Sequence, residues 1–227
     1  QLFAKERFHI LLLGDPGTGK TDLLRSASQF APISSFGLGS GTSSVGLSAA
    51  KKGNQLIKGL LPRAHNGIAC IDELNLMQVK DRGSLLNAME KGFITYDKGS
   101  THQQIDAHVR ILPTANPKGD RFIGDKVDFL KKQLPFDPAL LSRFHIVFFV
   151  RRPTREQFKT ITKNILTKDE KPLTAADVSF IKEYISFMQG KEVAFSKKLE
   201  PVVTSFFDNL KDKEDNYLVE LSPRLVL

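Results

Sequence analysis

Apolar residues come in short unbroken runs through the first two thirds of the chain and at helical spacing through the last third. The runs at 8–13, 68–71, 109–113 and 146–150 predict strands, and the stretches between them suit helices. Strand alternating with helix predicts an α/β fold, a mainly parallel sheet layered between helices. From Arg151 onward the pattern changes. Arg155–Thr167, Ala175–Gln189 and Ser196–Lys211 repeat apolar residues at helical spacing, as at Val178, Ile181, Ile185 and Met188. The predicted organisation is an α/β core over 1–152 followed by a small helical lid over 153–227. Two segments interrupt it: Ser34–Ser48, a low-complexity patch rich in glycine and serine, and the charged Lys211–Asp215, which reads as a solvated loop.

Composition narrows the function classes. With 227 residues, 41% of them hydrophobic, the chain can bury a substantial core. Lysine and arginine outnumber aspartate and glutamate 33 to 25, a formal net charge of +8, which suits a polyanionic partner such as nucleic acid. Part of that charge would serve a phosphate site. A single cysteine, Cys70, excludes an internal disulfide framework and suits a reducing compartment; within Ile68-Ala69-Cys70-Ile71 it reads as a small buried hydrophobe. The five histidines lack metal-ligand spacing, and one cysteine cannot build a zinc site. No apolar run approaches membrane-spanning length and no signal sequence opens the chain, so a soluble, intracellular protein is expected.

The chemistry concentrates at Gly14-Asp15-Pro16-Gly17-Thr18-Gly19-Lys20-Thr21, a complete GxxxxGK(S/T) pattern after the apolar Ile10-Leu11-Leu12-Leu13 and before the helix-compatible Asp22-Leu23-Leu24-Arg25. Strand, glycine loop and helix in that order make a phosphate-binding loop. Its backbone N–H groups and the helix N-terminus face a triphosphate, Lys20 reaches the β- and γ-phosphates, and the Thr21 hydroxyl ligates Mg²⁺. A nucleotide triphosphatase is therefore expected. The run Ile68–Ile71 ends in Asp72 and Glu73. Beside a phosphate loop, Asp72 would stand near the Mg²⁺ shell and Glu73 where it can polarise an attacking water. Asn116, in Pro113-Thr114-Ala115-Asn116-Pro117, suits a side chain reaching between γ-phosphate and water, although Asn-Pro is also an ordinary turn signal. Arg143, just before the strand at 146–150, suits either a surface ion pair or a stabiliser of phosphoryl transfer in a neighbouring subunit.

Taken in order, GDPGTGKT, APISSFGLGSGTSSVGLSAA, CIDELNLM, DRGSLLNAMEKGFITYDKG, TANP, DPALLSRF and LSPR resemble the AAA+ core of the minichromosome maintenance family of ring helicases, over nearly the whole chain. The resemblance implies a hexameric ring that hydrolyses ATP with Mg²⁺ and translocates on DNA. It implies that Lys20 and Thr21 bind phosphate and Mg²⁺, that Asp72 and Glu73 are the Walker B pair and that Asn116 senses γ-phosphate. Arg143 resembles an arginine finger acting across a subunit boundary, and Arg224 a second sensor arginine, also supplied in trans.

Two insertions typical of that family have counterparts. Val45–Asn66 would hold the insert within helix 2, and Ile94–Ser100 followed by Ile105–Val109 reads as a β-hairpin with Lys98 near its tip. In the family such a lysine contacts DNA in the ring channel; by pattern alone Lys98 is an ordinary exposed hairpin lysine. Departures from the family are Gly19 before the Walker lysine, His145 after Ser-Arg-Phe, and Leu74-Asn75-Leu76-Met77 after Glu73. None removes a catalytic group. The sequence carries nothing like the family's N-terminal oligonucleotide-binding and zinc-bearing region and ends at Leu227, where the second sensor helix would start, as expected of a fragment or a shortened relative. A second reading is a MoxR-like or magnesium-chelatase-type ATPase that remodels a protein partner. A catalytically silent ring subunit is disfavoured by the intact Lys20, Asp72, Glu73, Asn116 and Arg143.

Overall fold

The computed structural model describes the chain apart from residues 1–6, 54, 99–100, 120, 168–171, 193, 195 and 214–227 and the side chains of Lys98 and Thr101. Arg224 therefore lies outside the described residues. Strand β1 (Ile10–Gly14) alternates strictly: Leu11 and Leu13 enter one hydrophobic cluster, Ile10 and Leu12 the cluster on the other face. That period of two makes a central strand covered on both faces. Helix α1 (Lys20–Phe30) follows and inserts Leu24 into the second cluster. Strands β2 (Ser34–Leu38), β5 (Ile68–Asp72), β8 (Arg110–Ala115) and β9 (Ile146–Val150) complete, among the described residues, a five-stranded parallel sheet in the order β2-β5-β8-β1-β9.

Between β2 and β5 come helix α2 (Ser44–Leu47), the antiparallel hairpin β3 (Ala49–Lys52) and β4 (Gln55–Lys58), and helix α3 (Leu60–Arg63). Between β5 and β8 come helix α4 (Gly83–Lys91) and the hairpin β6 (Phe93–Lys98) and β7 (Thr101–Asp106). Short helices α5 (Val127–Lys132) and α6 (Pro138–Leu141) precede β9. After it run α7 (Arg155–Thr167), α8 (Ala175–Gln189) and α9 (Glu200–Lys211), in which no described residue is buried.

The predicted α/β fold is present, with four corrections. The segment Ser34–Ser48, read from sequence as a low-complexity patch with no element assigned, holds β2 and α2. Its small polar residues are used in packing, where the Ser35 hydroxyl donates to Leu60 O at 2.7 Å and that of Ser34 to Ser28 O at 2.9 Å. β8 runs past Pro113 to Ala115, because Thr114 and Ala115 continue the sheet against Leu12 and Leu13 of β1. The second hairpin strand starts at Thr101 rather than Ile105; His102, Gln103 and Gln104 face solvent, so its pairing leaves no apolar signal. The last of the described helices begins at Glu200 rather than Ser196, after a 3₁₀ turn over Lys197–Leu199.

Candidate active site

The sheet order sets the site. β8 lies between β1 and β5, so all three deliver their carboxyl ends to one crevice at the edge where α/β folds bind ligands. The loop leaving β1 carries Asp15–Gly19, and Gly17 and Gly19 take φ of +74° and +79°, a region open to glycine without penalty. Asp15 is 4% exposed. Its carboxylate accepts N–H bonds from Phe122 at 2.7 Å and Arg152 at 3.1 Å, clamping the loop to the segments around β9. Asp15→Ala would leave the buried Phe122 amide unpaired, a loss of about 1–3 kcal/mol read as a lower denaturant midpoint at unchanged slope. An equal midpoint would show that the clamp contributes nothing.

Lys20 opens α1 and is buried. Its Nζ donates to Gly14 O at 2.9 Å, Asp15 O at 2.6 Å and Thr18 Oγ1 at 3.4 Å. Burial lowers its pKa, opposed by the charges of Asp15, Asp72 and Glu73. One ammonium faces three carboxylates. Next along the helix, the Thr21 hydroxyl approaches Asp72 Oδ1 at 3.1 Å and Oδ2 at 3.0 Å.

Glu73 sits just past β5 with φ +53° and ψ +50°. A left-handed conformation costs a non-glycine residue about 1–2 kcal/mol. Three bonds hold the turn there: Glu73 N–H donates to Thr114 Oγ1 at 2.9 Å, Leu76 N–H to Glu73 O at 2.9 Å, and Gly39 N–H to Asp72 O at 2.7 Å. A Cβ on Gly39 would stand 2.2 Å from Glu73 O, so only glycine lets β2 approach this closely. Asn116 leaves β8, its backbone N–H donating to Asn75 Oδ1 at 3.0 Å. Pro16, Gly17, Thr18, Gly19, Lys20, Thr21, Asp72, Glu73, Thr114 and Asn116 all line one cavity of about 220 Å³.

That lining suits a nucleotide with magnesium. Thr21 and Asp72 offer hard oxygen atoms side by side, and Mg²⁺ takes only one or two protein oxygens beside phosphates and waters. The described residues contain no cluster of three or more His, Cys, Asp or Glu able to hold a metal alone.

The MCM P-loop domain model matches residues 2–169. The chain belongs to the MCM family. It is similar to the minichromosome maintenance protein MCM of Saccharolobus solfataricus, 31% identical over 90% of this chain and 31% of that protein. It is likewise similar to the DNA replication licensing factor MCM4 of Drosophila melanogaster, 33% identical over 81% of this chain and 22% of the relative. A third relative is the DNA replication licensing factor MCM6 of Oryza sativa subsp. indica, 30% identical over 89% and 26%. The chain thus spans about a third or less of the length of these curated MCM relatives.

Of the residues named from sequence, Asp15, whose carboxylate turns to Phe122 and Arg152, and Arg143 are not among the lining residues of this MCM domain's cavity. The Arg143 guanidinium donates to Ala139 O and, at 3.1 Å, to Glu90 Oε2 on α4, while its Nε is buried without a hydrogen-bond partner. Lys98 closes β6, paired across the ladder with Thr101. Cys70 is fully buried, its thiol pushed up to about 12 by desolvation, as the strand reading expects. No described helix is long and apolar enough to cross a membrane. Two site residues escaped the sequence reading. Thr114 and Asn75 lie in an apolar run and a short turn, and only the pairing of β5 with β8 reveals their bonds to Glu73, Asp72 and Asn116.

Proposed function

We propose that this chain is the ATP-hydrolysing motor core of an MCM-type DNA helicase, working as a hexameric ring within the cell. The observation that carries the reading is the single cavity lined by Lys20, Thr21, Asp72, Glu73 and Asn116. Asp15–Gly19 and Lys20 bind the phosphates of ATP, and Thr21 and Asp72 hold the magnesium ion, whose charge offsets that of the phosphates. Glu73 accepts hydrogen bonding from the attacking water and draws off its proton, while Asn116 orients that water against the γ-phosphate. Arg143 acts in trans at the neighbour's site, as does Arg224. Residues 1–152 form the ATPase core and 153–227 the lid. Family membership favours this reading over a MoxR-like or chelatase-type remodelling ATPase.

DNA stimulation of the ATPase tests the class directly. In the complete protein, Lys98→Ala is expected to keep hexamer assembly and basal ATPase while abolishing unwinding, because the motor would turn over without gripping phosphate. Each lost phosphate contact should also flatten the log–log salt dependence of DNA binding by up to about one unit. A hexameric Lys98→Ala protein that unwinds forked DNA at the parental rate would remove Lys98 from the DNA path, and an ATPase indifferent to DNA would favour a protein substrate.

A further inference from the structure

We infer that Thr114 is a positioning residue for both acids of the ATP site, an inference that rests on the nucleotide reading above. Its Oγ1 lies 2.5 Å from Asp72 Oδ1 and 2.9 Å from Glu73 N. An ionised carboxylate only accepts, so the single hydroxyl proton points to Asp72 and a lone pair receives the Glu73 N–H. One side chain thus fixes two functions at once. The hydroxyl sets the rotation of the Asp72 carboxylate, and it anchors the amide of a residue held at φ +53°. Thr114 is 2% exposed, so water has little access to replace it as either partner.

Packing does not require the hydroxyl, since valine has the same shape and suits a buried strand equally well. The bond is also independent of Thr21, which approaches the same carboxylate from α1. When Thr21 turns toward a ligand, Asp72 keeps its orientation through Thr114. Immediately before it, Pro113 stiffens the strand by locking its own φ near about −65°. The rotation of Asp72 and the left-handed turn at Glu73 are therefore set from β8, the strand that also delivers Asn116.

Thr114→Val, Thr114→Ser and Thr114→Ala in the complete protein test this by two independent readouts. The first is steady-state turnover with its ATP and magnesium dependence; the second is amide hydrogen exchange at Glu73 without nucleotide. Valine is expected to lower kcat by about 10–100-fold, to raise the magnesium concentration for half-maximal turnover and to leave KM for ATP nearly unchanged. Exchange at Glu73 should quicken, and serine should restore most of both properties. Parental turnover in the valine protein, unchanged exchange at Glu73, or serine as impaired as valine would each overturn the assignment. Should valine not fold, serine against alanine carries the same comparison, and equal turnover of those two overturns it. Lys20→Ala separates the failures. If that protein turns over ATP normally, the nucleotide reading falls, whereas exchange at Glu73 still reports whether Thr114 holds the turn.

Discussion

Arg143→Ala is expected to lower ATP turnover by about three to five orders of magnitude while leaving nucleotide binding nearly intact. The guanidinium stands outside the cavity of its own chain, fixed by Ala139 O and Glu90, with an ion-pair distance of 3.1 Å to the latter. On the proposed reading, a residue so placed acts on hydrolysis at a neighbour's nucleotide, where it would meet charge as that charge develops in the transition state. Loss of the side chain therefore leaves the Lys20 site complete but without its partner. On that reading the effect crosses subunits. Rings mixed from Arg143→Ala and Lys20→Ala subunits contain interfaces that join an intact Lys20 site to an intact Arg143, and those interfaces should recover activity. Demonstrably mixed rings with no recovered activity would rule out the shared site and return Arg143 to a surface ion pair with Glu90.

How much of this was legible depended on the range of the physics involved. The phosphate loop was readable because its chemistry is local: glycines with positive φ, a lysine and a hydroxyl lie within eight consecutive residues between strand and helix. Asp72 and Glu73 were readable because an unbroken apolar run ends on them. β2 was not, since a strand made of Ser34-Ser35-Phe36-Gly37-Leu38 carries no hydrophobic signature; its serines answer backbone groups of α1 and α3. Thr114 and Glu90 mark the sharper limit. Their partners are about 41 and 53 residues away along the chain, so only the parallel pairing of β5 with β8 and the placing of α6 near α4 create those contacts. The described helices of the last third were legible in extent, their spacing being intrinsic to each helix, except at Glu200, where a 3₁₀ turn imitates an extra helical turn.

Glu73→Gln should lower kcat by about two to four orders of magnitude, the span a positioned general base contributes. The amide reproduces the size of the carboxylate and leaves the backbone bonds of residue 73 to Thr114 and Leu76 unchanged. Only the charge and basicity of one group in the cavity change. Lys20 keeps its three oxygen partners, and the pairing of Thr21 with Asp72 is untouched. ATP should therefore bind with undiminished affinity and persist unhydrolysed, so the variant shows an ATP-dependent rise in melting temperature at least as large as the parent's. Replacing Glu73 also removes the negative charge of a residue that, with Asp72, lines the cavity, which pushes affinity for an anionic nucleotide in the same direction. The decisive comparison is slow turnover with full binding. If the Glu73→Gln ring hydrolyses ATP at close to the parental rate, water activation belongs to another residue. If it neither binds nor hydrolyses, residue 73 supports the cavity rather than the chemistry.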